Sequence, residues 1–110
     1  MKYLIIKLSD YRNGKLAPIP FGNPNKLKER VSGPWRTTLK TLYETNHALA
    51  LYKGQVIAAY QLRASVILDR RTHRISFTMD EAKSPLIGKT LDYPTPNPIS
   101  VLDTKDMKFK

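Results

Sequence analysis

The sequence predicts an α+β fold: a small, highly curved or closed antiparallel β-barrel-like sheet of five or six strands with one main helix over about 34–45. Three observations carry this. Apolar runs of strand length, punctuated by turn residues, follow one another from residue 47 onward. One stretch, 34–45, shows helical spacing of its apolar residues instead. No strand–helix alternation recurs, which argues against a doubly wound parallel sheet, and closure would hide the strand edges. At 110 residues and 41% apolar content the chain can bury one core, and 1–110 reads as a single domain.

Residues 2–8 (KYLIIKL) read as a strand, with Leu4, Ile5 and Ile6 running together as in a strand covered on both faces or set in a barrel wall. Residues 9–31 form a long basic loop. Its first part, 9–25, is rich in Pro, Gly and Asn, and a loop of that length in a small domain is functional or mobile. Asn23, Pro24 and Asn25 can open a short helix through Val31, with Lys26, Lys28 and Arg30 on its polar face. The main helix is expected after Ser32-Gly33-Pro34. Trp35, Leu39, Leu42 and Tyr43 stand at i, i+4, i+7 and i+8, and Asn46 suits the left-handed C-terminal position.

A hairpin of 47–52 and 55–62 around Lys53-Gly54 comes next, then a second of 64–69 and 74–79 with Arg70 and Arg71 at its exposed tip. Residues 80–98 are loop-like with a short strand within 86–93. Residues 99–102 suit a short edge strand, and 103–110 read as a flexible tail.

Several chemistries are excluded by composition. Without cysteine there is no disulfide or thiolate-bound zinc, and His47 and His73 alone cannot build a three-histidine site. The apolar run at 47–52 is far short of the roughly 18 residues a membrane span needs, and no targeting segment is recognisable, so a cytoplasmic chain is expected. None of the serines sits in a G-x-S-x-G elbow. Gly88-Lys89-Thr90 lacks the preceding glycine of a phosphate loop, because Lys83 occupies that position. The carboxylate pair Asp80-Glu81 looks like a turn or a helix start, and Asp103/Asp106 lies in the tail. Neither a metal nor another cofactor is expected.

What remains is charge. Nineteen Lys and Arg against nine Asp and Glu give +10. Residues 11–43 alone carry +6, and a second cluster comprises Arg70, Arg71, His73 and Arg74. A solvated, solubilising surface would account for the excess charge, but clustering is what a polyanion footprint requires. Arg36, Lys40, Arg70, Arg71 and Arg74 are the candidate phosphate contacts, with Lys26, Lys28 and Arg30 assisting; His73 would be a phosphate contact beside Arg74. Trp35 and Tyr60 are the candidate walls of a base pocket, since stacking on an aromatic ring is worth roughly 1–3 kcal/mol per unpaired base. Both rings also suit a plain core role: Trp35 opens an apolar stripe, and Tyr60 lies in an apolar strand.

The stretch 35–62 (WRTTLKTLYETNHALALYKGQVIAAYQL), followed by 74–79, 86–93 and 97–100, resembles PUA-like modules of the EVE type over about 65 residues. The likeness consists of apolar alternation, Gly54 and Asn97-Pro98; the basic segment 11–31 has no counterpart. The resemblance implies a closed pseudo-barrel that binds RNA or DNA. It assigns no binding residue. The leading expectation is therefore a non-enzymatic nucleic-acid-binding module. The alternatives are a phage- or mobile-element-type adaptor or inhibitor docking on an acidic protein surface, and a small toxin-type ribonuclease, for which no residue pairing marks a cleavage site. The sequence poses a geometric question: whether the two basic clusters meet.

Overall fold

The apolar run near the start of the chain becomes an inner strand of the sheet, paired on both edges. The computed structural model describes residues 1–12, 14–40, 45–93 and 97–110. In it Lys2–Leu8 is strand β1, and Leu4, Ile5 and Ile6 are 0% exposed because both faces are covered. On one face Leu4, Ile6 and Leu8 pack with Ile19, Val31, Tyr60, Phe77 and Met79. On the other Ile5 packs with Leu49, Leu51, Val56 and Leu91, with Leu86, Tyr93 and Met107 at the margin. Each such aliphatic side chain contributes about 2 kcal/mol by leaving water. Ile5→Ala is expected to cost about 3 kcal/mol in urea denaturation, since it also leaves a cavity that neither layer can close.

After β1 the chain makes a miniature hairpin, β2 (Tyr11–Arg12) and β3 (Lys15–Leu16), and then helix α1, Pro24–Ser32. The cap is as the residues suggest. The Asn23 side chain accepts the Lys26 amide at 3.1 Å, and Pro24 sits in the first turn, where no N–H is needed. Leu27 and Val31, one turn apart, face the core. Strands β4 (His47–Tyr52), β5 (Gln55–Leu68), β6 (Ile75–Ala82) and β7 (Ile99–Asp103) complete the fold. Lys53 and Gly54 both have positive φ, +50° and +82°, the backbone of a tight two-residue turn between β4 and β5.

Four expectations change. The sheet is mixed, not wholly antiparallel: β1 pairs in parallel with β4 from Leu4↔Ala48 to Leu8↔Tyr52. Parallel neighbours need a crossover, and the segment carrying α1 supplies it. The strand order β6-β5-β4-β1-β7 has two ends among the described residues, so the sheet is open and not a closed barrel. Residues 34–39 and 45 of the expected main helix are not helical, Lys40 is, and 41–44 lie outside the described residues. Trp35 instead forms an antiparallel bridge with Ile75, exchanging hydrogen bonds of 2.8 and 2.9 Å. A long-range pairing thus outweighs a local apolar stripe. Finally, β5 is one strand of 14 residues that runs through Arg63, with a register irregularity between Leu62 and Val66.

The segment expected as a flexible tail, 103–110, ends β7, makes a turn of 3₁₀ helix at Thr104–Asp106 and returns to the loop before it. Asp92 N–H donates to Lys108 O at 2.7 Å, and Lys110 N–H to Thr90 O at 2.9 Å. No helix among the described residues is long and apolar enough to cross a membrane.

The carboxylates serve this framework. Asp80 accepts both Arg63 Nε (2.9 Å) and Nη2 (2.6 Å). Asp69 accepts the amides of Arg71 and Thr72 at the β5–β6 tip, and Asp103 accepts the Lys105 amide. Each of these bonds favours the ionised form and holds the carboxyl below its ordinary value, Asp80 mainly through Arg63, Asp69 and Asp103 mainly through backbone amides. A lowered folded-state value means stability that is present above the unfolded pKa of about 4 and is lost as pH falls through the folded value. The melting temperature is expected to be level between about pH 5 and 7 and to fall below about pH 4. A melting temperature that rises on acidification would contradict this.

Candidate nucleic-acid interface

The Trp35–Ile75 bridge answers the geometric question in part. Arg36 follows Trp35 and Arg74 precedes Ile75, so the bridge brings the two arginines to the same cleft. One cation from each basic cluster is thereby brought to the same place. They line a cleft of about 530 Å³ together with Lys7 at the end of β1, Arg12 on β2 and Arg30 on α1. Tyr11 and Trp35 supply aromatic wall, and no carboxylate lines the cleft among the described residues.

Each wall residue is held by identifiable bonds. Trp35 Nε1 donates to Val31 O at 2.7 Å, tying the indole to the last turn of α1. Arg30 is only 8% exposed; its guanidinium donates to Ala17 O and Ser9 O at 2.8 Å and to Tyr11 O at 3.2 Å. It pins the β2–β3 hairpin against α1 and so fixes the rim that carries Tyr11 and Arg12. Burial lowers its pKa, as does the nearby Arg12, while Asp10 opposes that shift. Arg12 in turn donates to Gly33 O. Lys7 Nζ donates to Tyr93 O at 2.8 Å and lies 5.4 Å from the centre of the Tyr93 ring. Tyr11 is 62% exposed, a ring standing open to solvent. Asp10, its neighbour, accepts the Tyr52 hydroxyl at 2.7 Å, a bond that raises the Tyr52 pKa.

Removing the Arg30 guanidinium would leave three carbonyls without their cationic donor. Arg30→Met is expected to cost about 2 kcal/mol in urea unfolding and to loosen the 9–17 segment. Faster hydrogen exchange at the Ala17 amide, which donates to Asp10 O, is the local readout.

The residues singled out from the sequence are placed as follows. Arg36, Arg74, Arg30 and Trp35 share the cleft. Lys28 lines a second cavity of about 540 Å³ that shares Arg12, Gly33 and Pro34 with the first. Lys26 and Lys40 are exposed and line neither cavity, and Arg70 and Arg71 are exposed at the hairpin tip. Tyr60 is not a pocket wall. It is 1% exposed and packed in the core, where burial, aided by Glu81, pushes its hydroxyl up to about 12. Its place as an inward residue of β5, a central strand, is the physical reason.

Sequence reasoning missed Lys7, which reads as the polar end of a buried strand. Tyr11-Arg12 is visible in the sequence as an aromatic beside a cation in the basic loop, but it is not among the candidate contacts named from the sequence. Among the described residues no three His, Asp or Glu gather as a metal site. The chain matches no family model, no curated protein and no solved structure.

Proposed function

We propose that the protein is a non-enzymatic module that binds nucleic acid, DNA or RNA, through this cleft. The supporting observation is the lining: five cations and two aromatic rings with no carboxylate among the described residues. Arg12 and Arg30 lie near enough to oppose one another's charge, and an anion entering the cleft is attracted by every cation that lines it. A cleft of this size falls in the range that takes small organic ligands, and the rings offer stacking surface for a base. In this reading Arg36 and Arg74 meet phosphate oxygens, Trp35 and Tyr11 meet a base, and Arg30 holds the rim in position. Arg70 and Arg71 extend the positive surface beyond Arg74, and Lys26, Lys28 and Lys40 extend it along the chain before the sheet.

Fluorescence anisotropy on a panel of single- and double-stranded DNA and RNA, from about 50 to about 200 mM salt, tests the proposal. A linear fall of log affinity with log salt is expected, with a slope of about −2 to −4 from three to five phosphate contacts. Absence of binding to every member of the panel at the lowest salt would overturn it.

A further inference from the structure

We infer that the ligand is an extended single strand whose backbone crosses from the cleft into the second cavity. This rests on the nucleic-acid reading above. The two cavities, about 530 and 540 Å³, share Arg12, Gly33 and Pro34 in their walls, so they adjoin. Their linings divide the work of recognising an unpaired strand. The first offers Arg36, Arg74 and the two rings. The second offers Lys28 and the exposed Ile67, with Glu29 and the Asp80-bound Arg63 also on its wall; the Phe77 and Met79 that border it are core residues, 3% and 4% exposed. Ile67 is 65% exposed, an aliphatic side chain left in water beside a lysine. Arg12 stands at the junction, within reach of a phosphate linking the two halves.

A duplex presents phosphates on a convex surface and keeps its bases stacked inside. It has nothing to insert into a recess walled by aromatic and aliphatic side chains. A single strand exposes both phosphates and base faces, and stacking on such walls is tolerant of sequence. Two adjoining recesses of this size, each with room for about two nucleotides, suit a strand of about four, at the short end of what small single-strand-binding domains cover. A mononucleotide would leave Lys28 unused.

The test is anisotropy with the intact protein and labelled oligonucleotides of about two, four and eight residues, beside a duplex of the same sequence. Affinity is expected to rise at least about tenfold from two to four residues and then to level, with the duplex at least about tenfold weaker than the four-residue strand. Lys28→Gln is expected to cut the four-over-two affinity ratio about fivefold and to make the salt slope for the four-residue strand shallower by about one. Lys28→Gln leaves the helix its backbone bonds, including the Lys28 carbonyl that accepts Ser32 Oγ at 2.7 Å, and removes a cation whose field favours ionised Asp80. Affinity that does not depend on length, or a duplex bound as tightly as the single strand, would overturn the inference while leaving the nucleic-acid reading standing. Polyglutamate competing as well as the eight-residue strand would overturn both, and would favour an acidic protein as partner.

Discussion

Gly33→Ala is expected to destabilise the protein by about 3 kcal/mol and to weaken ligand binding with it. Two separate costs add here. Gly33 ends α1 with φ +125°, a backbone region that residues with a Cβ rarely adopt. A Cβ at this position would also lie 2.9 Å from Ile75 O and 2.9 Å from Trp35 Cδ1. Neither neighbour can give way cheaply. Ile75 O already accepts the Trp35 amide, and the indole is tied to Val31 O, so moving either opens the bridge that brings Arg36 and Arg74 to one cleft. Urea denaturation measures the first effect and anisotropy at a fixed salt the second. Stability within about 0.5 kcal/mol of wild type would mean that the junction between α1 and the Trp35 bridge does not constrain the cleft.

Arg36→Ala/Arg74→Ala is expected to reduce affinity for single-stranded nucleic acid about 100-fold at low salt and to make the salt slope shallower by about two. The figure follows from two charge-assisted hydrogen bonds of roughly 1.5 kcal/mol each. Stability should change little, since Arg36 is exposed and Arg74 half-buried, and neither lies in the apolar core. Arg70→Ala/Arg71→Ala should also give a shallower slope, with a smaller loss of affinity. Its cations project from an exposed tip, where mobile ions screen them. Equal losses for the two double variants would shift the site away from the cleft and onto the hairpin.

Much of the framework was legible because local chemistry decided it. Strand β1 announced itself through Leu4-Ile5-Ile6, α1 through Asn23-Pro24, the β4–β5 turn through Lys53-Gly54, and β7 through its position after the prolines. The errors arose where distant residues overrule local pattern. Trp35, Leu39, Leu42 and Tyr43 have helical spacing, but Trp35 pairs with Ile75, forty residues on, and 34–39 do not form a helix. Arg63 read as a break between strands; in the structure it is an exposed residue of a continuous strand, paired with Asp80 across the ladder. The parallel pairing of β1 with β4 left no trace in either strand, because register depends on both partners. The site was partly legible for the same reason. Charge and aromatic content marked the segments, whereas the meeting of Arg36 with Arg74 depends on one bridge, and the burial of Arg30 and Tyr60 on what packs over them.

The register of β1 has a kinetic corollary. Its two partners are far away along the chain: Leu4 faces Ala48 on one side and Val101 on the other. The Met1 carbonyl accepts the Thr104 amide at 2.8 Å. Bringing such separated segments together loses loop entropy before any contact rewards it, which slows folding. The β4–β5–β6 meander, whose pairings are close in sequence, is the part able to organise first, with β1 joining afterwards. During synthesis β1 must therefore wait, unpaired on its β7 side, until residues 99–103 have emerged from the ribosome. For that interval Leu4-Ile5-Ile6 is an uncovered apolar segment bracketed by lysines at 2 and 7, and charge so placed disfavours pairing with a neighbouring chain.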